Sequence, residues 1–159
     1  MIENDSRAGR ALRDAFGQFA TGVTLITTMT DEGPLGFVAN SFSSVSLEPP
    51  LVLWSPARAS RRFAAFAEAR SYAIHVLGAD QAGLITRFSR GGAGFDGLEH
   101  GLNAAGQPTL PALARFDCAA HAAHDGGDHA ILVGLVEGFV IGEGAPLVFF
   151  QGGYGGFAG

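Results

Sequence analysis

An antiparallel β-barrel with peripheral α-helices is the fold class the sequence predicts, and three observations carry that reading. Apolar, β-branched runs outnumber amphipathic stretches by about two to one. Short turn signals join most of those runs, with no regular helical crossover after each strand, which disfavours a doubly wound parallel sheet. At 159 residues the chain has the size of one domain, and neither a repeat nor a linker divides it, so residues 1–159 are read as a single unit.

The elements follow in order. Residues 7–20 place Ala8, Ala11, Leu12, Ala15, Phe16 and Phe19 at three- and four-residue spacings, the pattern of an amphipathic helix. The β-branched run 22–30 is followed by DEGP, so a strand turns into a second one from Leu35 to Ser43. PPLVLWS (49–55) reads as a buried strand that starts at its prolines, and Ser60 is placed to cap a short helix over 61–69. A strand over 71–77 leads to a helix over 81–88 with Asp80 as its expected cap. Leu113 to His121, 129–142 and 146–154 complete the strands.

Composition narrows the function. Hydrophobic residues make up 47% and charged residues only 16%, below the roughly 25% usual for soluble domains, so a partner subunit or a large ligand is expected to cover part of the surface. A net charge of −5 argues against a general nucleic-acid binder, which needs a basic face. No apolar run approaches the about 20 residues of a membrane span. The first 19 residues mix acids and arginines without a signal-peptide core, so a cytoplasmic protein is expected. The single cysteine, Cys118, excludes an internal disulfide and alternates with Phe116 and Ala120 as a core residue would. All ten basic residues are arginines, for which compositional bias is the plainer reading.

Several motifs are weak alone. GAGFDG (92–97) has the letters of a dinucleotide fingerprint but follows a predicted helix and enters a loop, so a Rossmann site is rejected in favour of a loop over a ligand. HAAHDGGDH (121–129) holds enough histidines and aspartates for a metal, but at a strand end and a Gly-Gly turn; no metal site is assigned. His129, at the start of a strand after a tight turn, is the histidine best placed to be held rigidly while reaching a cleft. No nucleophile elbow or zinc-protease motif is present, so a cofactor would carry any chemistry. Small hydroxyls in FVANSFSSVSLEPPLVL (37–53) leave room for a flat heteroaromatic ring and a phosphate chain, which suits a flavin, and Arg58, Arg61, Arg62 and Arg87 offer cations for the phosphate. Taken singly, these features also fit a solvated loop and a solvated helix face.

Together, FATGVTLITT (19–28), GFVANSFSSVSLEPPLVL (36–53), SRRFAAF (60–66), YAIHVLGADQAGLITRFS (72–89), GDHAILVGLVEG (127–138) and PLVFFQGGY (146–154) resemble, in order and over nearly the whole chain, the flavin reductase family with the FMN-binding split-barrel fold. Its members are the reductase components of two-component flavin monooxygenases. The resemblance implies an antiparallel, Greek-key split β-barrel. It implies that Val38, Ala39, Asn40, Ser41, Ser43 and Ser44 line the isoalloxazine and ribityl chain of FMN or FAD. Ser55, Ala57, Ser60 and Arg61 would lie at the phosphate, completed by Arg87, Phe88 and Ser89. Asp128 and His129 would stand at the nicotinamide of NADH or NADPH, with Tyr154 near the same face and His129 as the catalytic candidate. A homodimer and a separate monooxygenase that receives reduced flavin are the implied partners. A flavin-binding barrel without reductase activity, and a reductase of another acceptor such as a cobalt corrinoid, stay open at this point. Trp54 stands where the family commonly has a smaller residue.

Overall fold

A computed structural model describes residues 1–89 and 94–159; part of the glycine-rich segment read as a loop over a ligand lies outside the described residues. Helix α1 (Arg7–Phe16) precedes strands β1 (Thr21–Gly22), β2 (Thr24–Thr30), β3 (Gly33–Ala39), β4 (Ser43–Leu47) and β5 (Pro50–Trp54). Helix α2 (Phe63–Ala67), β6 (Ser71–Val76) and α3 (Gly83–Phe88) follow, then β7 (Gly101–Leu102), β8 (Pro108–Thr109), β9 (Ala114–Gly126), β10 (His129–Ile141), β11 (Val148–Phe150) and β12 (Gly153–Gly155).

Seven strands form one antiparallel sheet in the order β3-β2-β6-β9-β10-β5-β4. Its two edge strands, β3 and β4, are consecutive in the chain and joined only by residues 40–42. Laid flat, six spacings between strands would separate these edges by roughly 29 Å, whereas the four Cα steps from Ala39 to Ser43 reach about 14 Å at most. The sheet must therefore roll until its edges approach, and Asn40–Phe42 bridges the seam. This is the split barrel that the resemblance implied.

The seam also corrects the sequence reading. The strand expected to reach Ser43 stops at Ala39, whose carbonyl accepts a hydrogen bond from the Thr24 hydroxyl at 2.6 Å. The chain must leave one edge of the sheet there and enter the other, so Ser43 opens a new strand instead of ending the old one. The final expected strand is likewise two, β11 and β12, joined by Gln151 and Gly152 at φ 50° and 76°, the positive values that a two-residue hairpin turn requires. Asp80 does not cap a helix. The Gln81 side chain accepts the Gly78 N–H at 2.8 Å across a short 3-10 turn, and α3 begins after Ala82. Nor does Ser60 cap α2: its hydroxyl accepts the Arg62 N–H at 3.2 Å in the preceding turn, while the helix begins after Arg62 with no side-chain cap.

Two apolar clusters hold the barrel. Ile26, Val52, Phe66, Tyr72, Ile74, Cys118 and Leu132 surround Trp54, whose ring meets Phe37, Phe66 and Tyr72 edge-on. Trp54 is fully buried, so its bulk fills the interior of the barrel. Val23, Leu25, Leu77, Phe88, Leu110 and Leu147 form the second cluster beneath α3. Along β10, Ala130, Leu132 and Gly134 are buried while their neighbours are partly exposed, the two-residue period of a strand with one inward face. Burial pushes the Cys118 thiol up to about 12, with the charges of Asp117 and Glu137 adding to the effect, so this cysteine stays protonated in the core. No helix among the described residues is long and apolar enough to cross a membrane.

Candidate functional site

The turn between β9 and β10 decides where His129 stands. Gly126 and Gly127 allow the reversal, Gly127 at φ 78°, and Asp128 follows with an exposed carboxylate. The Nδ1–H of His129 donates to Asp128 Oδ1 at 2.7 Å. That bond, reinforced by the charge the ring can carry, holds the Asp128 carboxyl below its ordinary value. With Nδ1 engaged, Nε2 is the nitrogen that a half-exposed imidazole presents outward.

The segment after β5 packs against the same turn. Leu132 pairs with Trp54 in the β5–β10 ladder, and past a break at Ser55 and Pro56 an antiparallel bridge joins Ala57 to His129. Pro56 carbonyl accepts the Ala130 N–H at 3.1 Å, and the Arg58 N–H donates to the Asp128 carbonyl at 2.9 Å. Ser41, on the seam, joins the cluster from the other side: its hydroxyl accepts the Ser55 N–H at 2.9 Å. Ser41, Ser55, Ala57, Asp128 and His129, far apart in sequence, are thus brought together at one end of the barrel.

The arginines divide. Arg62 donates to the Phe88 carbonyl at 2.7 Å, tying α2 to the end of α3. Arg87 donates to the carbonyls of Gly94, at 2.7 Å, and Asp96, so its guanidinium is spent on the adjoining loop. Arg58 pairs with Asp125 at 2.8 Å. Arg61, exposed and beside Ser60, makes no side-chain hydrogen bond or ion pair among the described residues.

The other predicted positions are more scattered. Asn40, Ser43 and Ser44 are exposed along the seam and β4, the Ser43 hydroxyl donating to the Ser44 carbonyl at 3.0 Å. Ala39 is buried in the first cluster and Val38 packs on the second. The Phe88 ring is buried beside Phe95 and against Gly36, where an added Cβ would lie 2.4 Å from it, and the Ser89 hydroxyl donates to the Ile85 carbonyl. Tyr154 sits on the three-stranded sheet of β1, β11 and β12 with its ring 5.1 Å from Phe149. No hydrogen bond or ring contact joins it to Asp128 or His129 among the described residues. Phe149 lines a cleft of about 670 Å³, together with Phe16, Phe19, Arg13 and Gln151; of the predicted site residues only Asn40 is among its lining. That cleft was not read from the sequence, where Phe16 and Phe19 looked like the buried face of a helix.

A sequence profile of the flavin reductase like domain matches residues 16–158, nearly the whole chain. The chain belongs to the flavin reductase family. Over 150 residues it is 53% identical to the FMN reductase (NADH) SmoA of Agrobacterium fabrum, covering 94% of this chain and 86% of that one. It is 42% identical to the reductase subunit HsaB of a flavin-dependent monooxygenase from Rhodococcus jostii, over 92% and 77% of the two chains. The crystal structure of nitrilotriacetate monooxygenase component B from Mycobacterium thermoresistibile superposes with a TM-score of 0.90 at 37% identity, covering 95% of this chain and 87% of that one.

For a flavin reductase, the donor set at the barrel end fits a flavin. The seam and β4 offer exposed hydroxyls with no bulky side chain on Ser43 or Ser44, and Arg61 is an exposed guanidinium of the kind an anionic phosphate would need.

Proposed function

We propose that this flavin reductase is the reductase half of a two-component monooxygenase. It moves a hydride from NADH or NADPH to FMN or FAD, and the reduced flavin passes to a separate flavin-dependent oxygenase. The observation that carries this reading is the Asp128–His129 pair, pinned beside Ala57 next to the small-residue seam in a chain similar to named flavin reductases. The activities of those relatives favour it over a flavin-binding barrel without reductase activity, or a reductase of a cobalt corrinoid.

When bound, flavin supplies the ring that accepts the hydride. The chain supplies position. Ser41, Ser43, Ser44 and Asn40 give hydroxyl and amide partners along the seam, Arg61 with Ser60 and Ser55 meets the phosphate, and His129 Nε2 orients the nicotinamide while Asp128 fixes the ring's tautomer. Holding two reactants in a reactive geometry is itself a large share of such a rate enhancement. Phe16, Phe19, Leu47, Phe139, Ile141 and Phe157 are large apolar side chains left exposed on the single chain, which supports a homodimer. A cytoplasmic location fits this role, since NADH and the oxygenase would be met there.

Oxidation of NADH and NADPH by the purified protein, followed with and without FMN, FAD or riboflavin, tests the reading. Flavin-dependent oxidation is expected. His129→Ala should lower kcat/KM for the nicotinamide by about tenfold and leave flavin affinity within about twofold; unchanged kinetics would remove His129 from the reaction. Tight flavin binding without any oxidation would leave a binding protein instead.

A further inference from the structure

The β9–β10 turn is short and exposed: Gly127 and Asp128 connect the strands, His129 pairs back with Gly126, and Asp125 and Asp128 lie in solvent. Yet this turn carries the imidazole whose position the reaction needs. Beyond the β9–β10 ladder, four hydrogen bonds tie it to the segment after β5, all through Pro56 and Arg58. Two run between backbones: Ala130 N–H to Pro56 carbonyl, and Arg58 N–H to Asp128 carbonyl. The other two come from one side chain. Arg58 Nε–H donates to the Gly127 carbonyl at 3.0 Å, and its Nη2 reaches Asp125 Oδ1 at 2.8 Å. The guanidinium itself is steadied over the Phe63 ring, 5.5 Å from its centroid, at the start of α2.

We propose that Arg58 and Asp125 are a positioning pair for the reductase reaction: Arg58 is a clamp on the Gly126–Asp128 turn that fixes His129, and is not a ligand of the flavin phosphate. The inference rests on the reductase reading above. A planar guanidinium is suited to the task, because its fork reaches a carbonyl and a carboxylate at once, which an ammonium group cannot reproduce. Geometry separates it from Arg61, three residues on, which has no such commitments among the described residues. The ion pair is exposed and contributes little to global stability, and the two backbone bonds survive its removal. Loss of the clamp therefore loosens the turn without unfolding the barrel.

The test compares Arg58→Ala, Arg58→Lys, Asp125→Asn and Arg61→Ala. With FMN as acceptor, Arg58→Ala and Asp125→Asn are expected to raise KM for NADH about tenfold with kcat changed less, to leave the flavin Kd within about twofold, and to melt within a few degrees of the wild type. Arg58→Lys should recover little of the loss. Arg61→Ala should do the reverse, weakening flavin and sparing KM for NADH. The sign of Asp125→Asn is decisive. Removing a negative charge near an anionic ligand would tighten binding if Arg58 met a phosphate or merely steered the dinucleotide, whereas it weakens NADH if Asp125 is half of a clamp. Wild-type activity in Arg58→Lys, tighter NADH in Asp125→Asn, or loss of flavin in Arg58→Ala would each overturn the proposal. The ring resonance of His129, assigned by its disappearance in His129→Ala, gives a readout that does not need turnover. It should shift or broaden in Arg58→Ala and Asp125→Asn; an unmoved resonance refutes the clamp even if the wild type proves not to oxidise NADH.

Discussion

Replacing Gly134 with valine is expected to cost about 3 kcal/mol of stability, seen as a drop in melting temperature of about 10 °C for a chain of this length. Gly134 lies mid-strand on β10, opposite Ala120 on one side and Val52 on the other, with its missing side chain aimed at the core. A Cβ there would sit 2.7 Å from the Tyr72 hydroxyl and 3.0 Å from Cys118 Cβ, with Sγ at 3.3 Å. Alanine must push one of these back by a few tenths of an ångström; valine adds two further methyl groups where Tyr72 and Cys118 already fill the space. A double-mutant cycle identifies the cause. The Tyr72 hydroxyl is buried and has no hydrogen-bond partner among the described residues, and burial raises its pKa above the ordinary range. Tyr72→Phe should thus be nearly neutral alone, and should recover about 1 kcal/mol of the cost of Gly134→Ala. Additive effects in urea unfolding would mean that Cys118, and not Tyr72, sets the limit.

The same residues show what was legible. Alternation along 129–142 and the β-branched run 22–30 gave strands because each has one inward face, a pattern that needs no knowledge of partners. The barrel itself could be argued from turn lengths, but its seam could not. Ala39 and Ser43 look like one continuous strand until the order of the sheet shows that they lie on opposite edges. The C-terminal hairpin was written in GlnGlyGlyTyr, a glycine-rich turn signal that an apolar run on its N-terminal side obscured.

The site was legible in parts. His129 and the serine stretch holding Ser41 stood out from the residues alone, Ser55, Ala57 and Asp128 only through the family resemblance, and the structure gathers them because β5 and β10 are neighbours in the sheet. The arginines were harder, since the sequence shows charge but not commitment. Arg58 and Arg87 reach carbonyls at Gly127 and Gly94, 69 and 7 residues away, and only a structure reveals that such donors are already used. His75 went unremarked for a related reason. A histidine within an apolar strand is a polar group that must find partners inside, yet nothing in its neighbours names Leu110.

His75 makes the barrel sensitive to acid. Its side chain is fully buried. Nδ1–H donates to the Leu25 carbonyl at 3.0 Å, across the β2–β6 ladder, and Nε2 accepts the Leu110 N–H at 3.1 Å. Only the neutral ring satisfies both partners, because a proton on Nε2 would face another donor. Burial lowers the pKa from 6.5 to about 4; the Leu25 bond opposes the shift, Arg115 adds to it and Asp117 opposes it. The unfolded chain therefore binds this proton more readily than the folded one. Stability from the neutral ring is complete above about pH 6.5, declines as pH falls below that value, and levels off below about 4, a span worth roughly 3 kcal/mol. Urea midpoints measured from pH 7.5 to 3.5 should trace that decline. His75→Gln, which keeps one donor and one acceptor but cannot titrate, should be less stable at pH 7 and lose less between pH 6.5 and 4. If the variant's pH profile runs parallel to the wild type's, His75 is not the group that binds the proton, and the acid sensitivity belongs to the exposed histidines or the carboxylates.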